Sequence, residues 1–187
     1  MEVRWLKAFH KSIHNLIIKR KMKGLTKERE FLGLEQAKSI AILYNAFNAE
    51  AVENAIEFGK VLGKNKSIYL LGFINKKNNE SIRDLYPDLG FISKKDLSWY
   101  RVPKRLSSSR FIKGEYDILI NYYLIDSLSL QYISALSNAK FRIGHYRDQN
   151  LYCNDFLIDL GETQSLEELQ KLILHFIKNK KTQNEPI

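Results

Sequence analysis

Cysteine is nearly missing from this sequence, and so are long apolar runs. Cys153 is its single cysteine, which excludes an internal disulfide framework and a cysteine-rich zinc site. Such low cysteine usage favours a reducing compartment, so we expect a cytoplasmic protein. No run of eighteen apolar residues occurs, so the sequence predicts no transmembrane helix. Charged residues interrupt the N-terminus too often for a signal peptide.

The glycine-rich loops that bind nucleotides are also lacking. The chain has nine glycines, and none lies in the turn 45–49 that follows the first predicted strand. A dinucleotide-binding protein carries glycines at that turn because its backbone must approach the pyrophosphate. No phosphate-loop pattern and no serine nucleophile elbow occur either. The sequence therefore identifies no enzyme class, and we expect no cofactor.

Positive charge is in excess and is unevenly distributed. The chain has 30 Lys and Arg against 21 Asp and Glu, for a net charge of +9. Residues 1–30 and residues 94–113 each carry a net charge of +6, so the rest of the chain is net negative. Clustered cations raise the local potential and attract polyanions such as RNA, or an anionic membrane surface. We expect the two basic segments to form functional surfaces.

The second basic segment interleaves aromatic rings with its cations. Trp99 and Tyr100 lie between Lys95 and Arg101, a mixture that suits base stacking beside neutralised phosphates. The two rings could instead belong to the core, beside a basic loop that is merely solvated. Under the first interpretation the polyanion-binding residues are Lys7, Lys11, Lys19, Arg20, Lys21, Lys94, Lys95, Trp99, Arg101, Lys104 and Arg105.

Residues 1–24 are predicted to form a basic amphipathic helix that ends at Gly24. At about 100° per residue, six apolar side chains share one arc, and His14 falls on the opposite, basic face. The stripe could pack on the protein itself, on an anionic membrane or in a partner's groove. His10 and His14 have metal-ligand spacing, but no third ligand is near, so we interpret both as solvated and predict no metal site. The stripe consists of Trp5, Leu6, Phe9, Ile13, Leu16 and Ile17.

The order of apolar runs and amphipathic segments predicts the fold class. Runs such as 39–45 and 116–122 are typical of strands buried on both faces of a parallel sheet. Alternating strands and helices predict an α/β domain over residues 36–181, with a three-layer Rossmann-like, mostly parallel sheet of about five or six strands. The tail 182–187 is expected to be disordered. Other expected elements are strands at Ser67–Ile74, near Phe91, at Trp99–Val102, Lys140–His145 and Phe156–Leu160, and helices at Ala49–Leu62, Leu128–Asn138 and from Ser165 onward.

Polar side chains follow several of the predicted strands. Open parallel sheets bind ligands beyond the carboxyl ends of their strands, and amide, phenol, imidazole and guanidinium groups suit a polar or anionic ligand. The imidazole of His145 could act as a general base. Alternatively, these groups only cap strands and helices. The candidate ligand-binding residues are Asn45, Asn48, Asn121, Tyr122, His145 and Arg147.

Three stretches of the chain resemble known sequences. Residues 36–44, 116–122 and 142–144 resemble a family of small uncharacterised proteins from Bacteroidota, which implies a Rossmann-like core and no particular activity. Residues 117–146 are similar to the N-terminal half of heptosyltransferase-like GT-B glycosyltransferases, in which a strand, a Leu- and Ala-rich helix and an Arg-Ile-Gly strand follow one another. Those enzymes bind the nucleotide sugar mainly in a second domain, so this resemblance implies a degenerate or small-ligand-binding relative.

Three functions are compatible with these observations. The first is a non-catalytic binding module whose basic segments contact RNA or a ribosomal surface. The second is a small-ligand-binding domain that uses the carboxyl edge of the sheet. The third is peripheral association of the N-terminal helix with an anionic membrane.

Overall fold

Six parallel strands form the centre of the protein in the computed structural model. They are β1 (Ser39–Asn45), β2 (Ser67–Ile74), β3 (Gly90–Ser93), β4 (Ile118–Tyr122), β5 (Phe141–His145) and β6 (Phe156–Ile158). Their order in the sheet is β3-β2-β1-β4-β5-β6, with every neighbouring pair parallel. The structure describes residues 4–23, 29–75, 81–104, 107–148 and 150–179, and of residues 4–11 and 107–109 only the backbone.

The two central strands are buried on both faces. Ile40 and Ile42 of β1 enter one core cluster, and the intervening Ala41 and Leu43 enter the other. Because side chains alternate along a strand, such a continuous apolar run needs a covering layer on each side. β1 pairs with both β2 and β4, so the chain reverses its winding direction there, and a crevice opens where the loops after β1 and β4 diverge.

Within the described residues, six α-helices provide the covering layers. Three of them, α2, α3 and α6, lie on one face of the sheet, and α1, α4 and α5 lie on the other. The prediction of a three-layer α/β fold with a parallel sheet is confirmed. No described helix is both long and apolar enough to span a membrane. The helices are α1 (Arg4–Met22), α2 (Ala49–Leu62), α3 (Ser81–Leu85), α4 (Ser107–Lys113), α5 (Leu128–Leu136) and α6 (Leu166–Asn179).

Helix α5 explains why α1 lies on the protein. Every residue from Ser129 to Leu136 is buried, so α5 needs cover on the side that faces away from the sheet. α1 supplies that cover: Ile18 is buried, and Ile17 and Met22 are partly buried against the same core cluster. In the described part of α1, the apolar side chains therefore pack mainly on the protein itself.

The inward face of α1 differs from the predicted stripe. His14 and Ile18 are fully buried, whereas Leu16 is 69% exposed. Lys21 continues the inward row, with its Nζ donating to the Tyr132 hydroxyl at 2.6 Å. The predictions that His14 is solvated and that Leu16 packs inward are wrong. A periodicity based on apolar residues misses this face because a neutral imidazole ring and the stem of a lysine can also pack against apolar side chains.

The segment between β2 and β4 departs furthest from the predicted elements. Trp99–Val102 is a turn and not a strand, and Leu97 and Pro103 form only an isolated antiparallel bridge across it. Proline has no amide proton, so Pro103 cannot extend a hydrogen-bonded ladder. Helix α4, which begins at Ser107, is not among the predicted elements. Helices of five and seven residues such as α3 and α4 are too short to show an apolar period.

Candidate functional site

Asn45 and Tyr122 line a small crevice where β1 and β4 end. Its volume is about 160 Å³, and most of its wall is apolar. One polar atom of each residue is already used: Asn45 Nδ2 donates to the Ile125 carbonyl at 2.9 Å, and the Tyr122 hydroxyl donates to Gln170 Oε1 at 3.1 Å. This crevice sits where a doubly wound sheet binds its ligand, but it presents few polar groups to one. Its other lining residues are Tyr44, Phe47, Ala51, Tyr123, Leu124, Ile125 and Leu166.

Asn48 has a structural role in the same region. Its backbone is extended, and its side-chain oxygen accepts the amide of Ala51 at 2.9 Å, so it caps the N-terminus of α2. For this residue the capping alternative describes the observed hydrogen bond.

Asn121 points into the protein and not toward the open edge. It is 2% exposed, and its Nδ2 donates to Ser134 Oγ at 2.8 Å and to Asn154 Oδ1 at 2.6 Å. Ser134 in turn donates to the carbonyl of Cys153 at 2.7 Å. A Cβ atom at Gly144 would lie 2.6 Å from Asn154 Oδ1, so glycine leaves room for this network. Asn121 therefore ties β4 to α5 and to the loop before β6.

His145 and Arg147 form a closed pair after β5. His145 is 2% exposed, and Arg147 Nε donates to its Nε2 at 2.5 Å. Burial lowers the pKa of His145 below its usual 6.5, and the nearby Arg147 charge lowers this pKa further. A general base needs a lone pair within reach of substrate, and this lone pair is occupied. The pair holds its loop together with Asn150, whose Nδ2 donates to the His145 carbonyl at 3.0 Å.

Arg142 is a buried charge that sequence reasoning did not single out. Two of its guanidinium nitrogens donate to the carboxylate of Asp155, at 2.9 and 2.7 Å. A third nitrogen donates to the carbonyls of Ser134 and Ala135 near the end of α5, at 3.3 and 3.2 Å. A buried arginine is stable only when such partners replace water. Arg142 is thus a structural residue of β5.

A second cavity lies beyond the carboxyl ends of β2 and β3. It has a volume of about 310 Å³ and is lined by polar residues of three separate segments. Ser129 Oγ donates to the Arg101 carbonyl at 3.0 Å, which joins two of its walls. The sequence does not predict this cavity, because Lys94 and Arg101 are assigned there to a polyanion-binding surface and Leu128 only to the start of a helix. Its lining residues are Phe73, Asn75, Lys94, Arg101, Asp126, Ser127, Leu128 and Ser129.

The two basic segments meet on the face covered by α1, α4 and α5. His14 Nδ1 of α1 lies 3.4 Å from the carbonyl oxygen of Tyr100 in the second segment. Trp99 is 60% exposed, whereas Tyr100 is partly buried against the core, and their rings pack edge to face at 5.2 Å. Tyr100 therefore fits the interpretation as a core residue and anchors the turn. Trp99 faces solvent, as the base-stacking interpretation requires.

The cations of this surface keep most of their charge available. Asp96, the acidic residue of the second segment, pairs with Arg83 at 2.7 Å and accepts the Ser93 amide. Because Arg83 comes from α3, this ion pair does not involve the lysines next to Asp96. Within the described ranges, the exposed cations of the two segments that have no acidic partner include Lys19, Arg20, Lys94 and Lys104.

Of the other predicted polyanion-binding residues, some lie on this surface and some lie outside the described residues. Lys95 is exposed beside Lys94, and Lys21 contacts the ring of Tyr132 with its Nζ 5.3 Å from the ring centre. The side chains of Lys7 and Lys11 and the whole of Arg105 lie outside the described residues.

The sequence matches a family of unknown function, DUF6913, over residues 10–179. The chain belongs to this family. Its match spans all six strands and most of α1, which confirms the expectation of a family without an assigned activity. No curated protein and no solved structure matches the chain, so the similarity to heptosyltransferases and the link to Bacteroidota have no support from these comparisons.

The DUF6913 match includes all six ligand-binding candidates and both basic segments from residue 10 onward. Among the residues that the structure describes, no group of three or more His, Cys, Asp and Glu side chains could hold a metal ion. Of the features described above, the basic surface and the 310 Å³ cavity present exposed or cavity-facing polar groups.

Proposed function

We propose that this protein binds RNA through the basic surface that its two positively charged segments form together. The observation that carries the proposal is the contact between His14 and Tyr100, because it places α1 and the turn at 97–103 side by side on one face of the sheet. Each segment alone is a basic stretch of ordinary surface, whereas two adjoining basic stretches offer more contacts to a phosphate backbone.

Unpaired cations make phosphate binding favourable. Lys94 and Lys104 flank the turn, and Lys19 and Arg20 lie at the end of α1. Each phosphate that such a cation neutralises releases condensed counterions, which drives association at low salt. Because Asp96 is neutralised by Arg83, it offsets this attraction less than a free carboxylate would.

Trp99 adds a means of contacting single-stranded RNA. Its ring is 60% exposed and packs edge to face with Tyr100, so the exposed part of the ring suits stacking with an unstacked base. Stacking on an aromatic side chain contributes about 1–3 kcal/mol per base. We therefore favour single-stranded RNA, free or at a ribosomal surface, over a duplex whose bases are already stacked.

Fluorescence anisotropy with labelled single-stranded RNA tests the proposal, with a charge-matched control. Lys94→Ala/Lys104→Ala removes two cations from the surface, and Lys64→Ala/Lys178→Ala removes two exposed cations beside α2 and α6 on the opposite side of the sheet. We expect the first variant to bind roughly tenfold more weakly and the second to bind nearly as wild type. Equal losses in both variants, or no RNA binding at low salt, would overturn the proposal.

Trp99→Ala separates stacking from charge. It should weaken binding to single-stranded RNA by about 1–3 kcal/mol and leave binding to a duplex of equal length nearly unchanged. Co-sedimentation of the protein with ribosomes, with and without nuclease, then tells free RNA from a ribosomal surface as the target.

A further inference from the structure

We propose that the 310 Å³ cavity is a binding site for the phosphate monoester group of a hydroxylated compound. The cavity shares Lys94 with the basic surface but lies beyond the ends of β2 and β3 as a concave site of its own. The inference does not depend on RNA binding, because a phosphate monoester can bind in the cavity without contacting the rest of the basic surface.

The cavity brings two cations together from separate parts of the chain. Lys94 directly follows β3, and Arg101 belongs to the turn bridged by Leu97 and Pro103. The Arg101 carbonyl accepts a hydrogen bond from Ser129 Oγ at 3.0 Å, so the turn is fastened to α5 across the cavity. A guanidinium and an ammonium group at one concave site suit a dianionic phosphate. The volume is at the small end of the range for ligand pockets, about 300–1,000 Å³.

The start of α5 supplies amide donors to the same space. Ser127 caps the helix: its Oγ accepts the Leu130 amide at 3.4 Å, and its carbonyl accepts the Gln131 amide at 2.9 Å. The amides of Leu128 and Ser129 have no acceptor among the described residues, although both residues line the cavity. Free amides and the helix dipole both favour an anion here.

Asp126 adds to the cavity a group that can bind ligand hydroxyls. Its carboxylate also lines the cavity, with Oδ1 accepting from Gln131 Nε2 at 3.2 Å, and beside it the exposed Asn75 offers a side-chain amide. A carboxylate repels phosphate oxygens but accepts hydrogen bonds from hydroxyl groups. The lining therefore suits a ligand with phosphate at one end and hydroxyls at the other, such as a sugar phosphate, a nucleoside monophosphate or the 5′-phosphorylated end of an RNA strand.

NMR titration tests the site on the full chain without assuming its natural ligand. The probes are adenosine 5′-monophosphate and inorganic phosphate, with adenosine as the ligand that lacks the anion, at constant ionic strength. We expect the two phosphate compounds, and not adenosine, to shift the amide signals of Leu128 and Ser129. Arg101→Asn is the test variant because asparagine tolerates the positive φ of 64° at this position. It should weaken phosphate binding roughly tenfold, as expected for a lost charge-assisted hydrogen bond.

A control variant and a comparison of two RNA strands complete the experiment. Lys64→Ala, which removes an exposed cation outside the cavity, should bind phosphate as wild type does. Tighter binding of 5′-phosphorylated than of 5′-hydroxyl RNA would support an RNA end as the source, and equal binding would support a free metabolite. Unshifted Leu128 and Ser129 signals with both phosphate compounds, or unchanged affinity in Arg101→Asn, would overturn the site. If 5′-hydroxyl RNA fails to bind while phosphate still binds, the RNA proposal fails and the cavity remains a phosphate site.

Discussion

His14 Nδ1 lies 3.4 Å from the carbonyl oxygen of Tyr100, a contact that joins residues 86 positions apart in the chain. The imidazole is fully buried, with its ring centre 6.1 Å from that of Tyr132 on α5. Its Nε2 has no hydrogen-bond partner among the described residues. One buried histidine therefore connects α1, α5 and the basic turn, and its neutral form is the one that this packing accommodates.

The docking of α1 should weaken as the pH falls. Burial lowers the pKa of His14 below its usual 6.5, and the Tyr100 carbonyl raises it by a smaller amount. The stabilisation is complete above pH 6.5. It decreases as the pH falls below this value, because the undocked helix then takes up a proton that the docked helix resists. Hydrogen exchange of the α1 amides, measured from about pH 7.5 down to 5, should show faster opening at the acidic end.

His14→Leu is the control for this pH dependence. The leucine fills a similar space and has no titrating group. The opening equilibrium of the α1 amides, which is the observed exchange rate divided by the intrinsic rate, should therefore no longer increase toward pH 5. The pKa of His145 is also lowered by burial, so a pH dependence of global unfolding can persist in the variant. An α1-specific pH dependence identical in wild type and His14→Leu would contradict the role given to His14.

Ile18 should contribute far more stability than its neighbour Leu16. Both residues belong to α1: Ile18, on its inward face, is 1% exposed, and Leu16 is 69% exposed. Ile18→Ala removes buried methyl groups and leaves a cavity, which costs about 2–5 kcal/mol, whereas Leu16→Ala should change the free energy of unfolding by less than about 0.5 kcal/mol. Urea titration of both variants measures the difference. Comparable losses would mean that α1 presents the face predicted from its apolar stripe.

That reversal shows how far the sequence can predict this fold. The strands Ser39–Asn45 and Ser67–Ile74 and the helix Ala49–Leu62 have the predicted bounds, because apolar runs, Asn48 and Gly63 are local signals. Which face of α1 is buried depends on its packing against α5, which is more than 100 residues away in the chain. It also depends on His14, a polar residue that is buried. Tertiary contacts of this kind leave no mark on periodicity.

Replacing Arg142 should destabilise the protein strongly. Its guanidinium is 6% exposed and pairs with Asp155 at 2.7 Å. Arg142→Met leaves the carboxylate half-buried with a weaker partner, Arg29 at 3.8 Å, so we expect a loss of about 3–5 kcal/mol in the free energy of unfolding. Lys60→Ala breaks the exposed pair with Glu57 and should cost about 0–1 kcal/mol. Chemical denaturation of the two variants side by side checks the contrast, and similar small losses would refute it.

Cys153 should be unreactive in the native protein. It is fully buried, and burial raises the pKa of its thiol to about 12, so almost none of it is thiolate near neutral pH. A thiol reagent should label it only at the rate of unfolding and completely in urea. Rapid labelling without denaturant would show that the region around β5 and β6 opens in the folded state.

The candidate site was harder to predict than the fold. The sequence correctly places Asn45 and Tyr122 near the carboxyl edge, because strand ends are local features. The sequence does not predict that the Asn121 side chain points into the protein and donates to Ser134 of α5. The convergence of Lys94 and Arg101 at the start of α5 arises from strand order and from a turn with a positive φ. These relationships exist only after the sheet has assembled.

The salt dependence of RNA binding tests the basic surface most directly. The association constant falls with salt in proportion to the number of phosphates neutralised, with a slope of about −0.7 per phosphate for single strands in a plot of log K against log salt. We predict that Lys94→Ala/Lys104→Ala makes this slope shallower by about 1.4, while Lys64→Ala/Lys178→Ala leaves it unchanged. An unchanged slope in the first variant, or an equal change in both, would contradict the account.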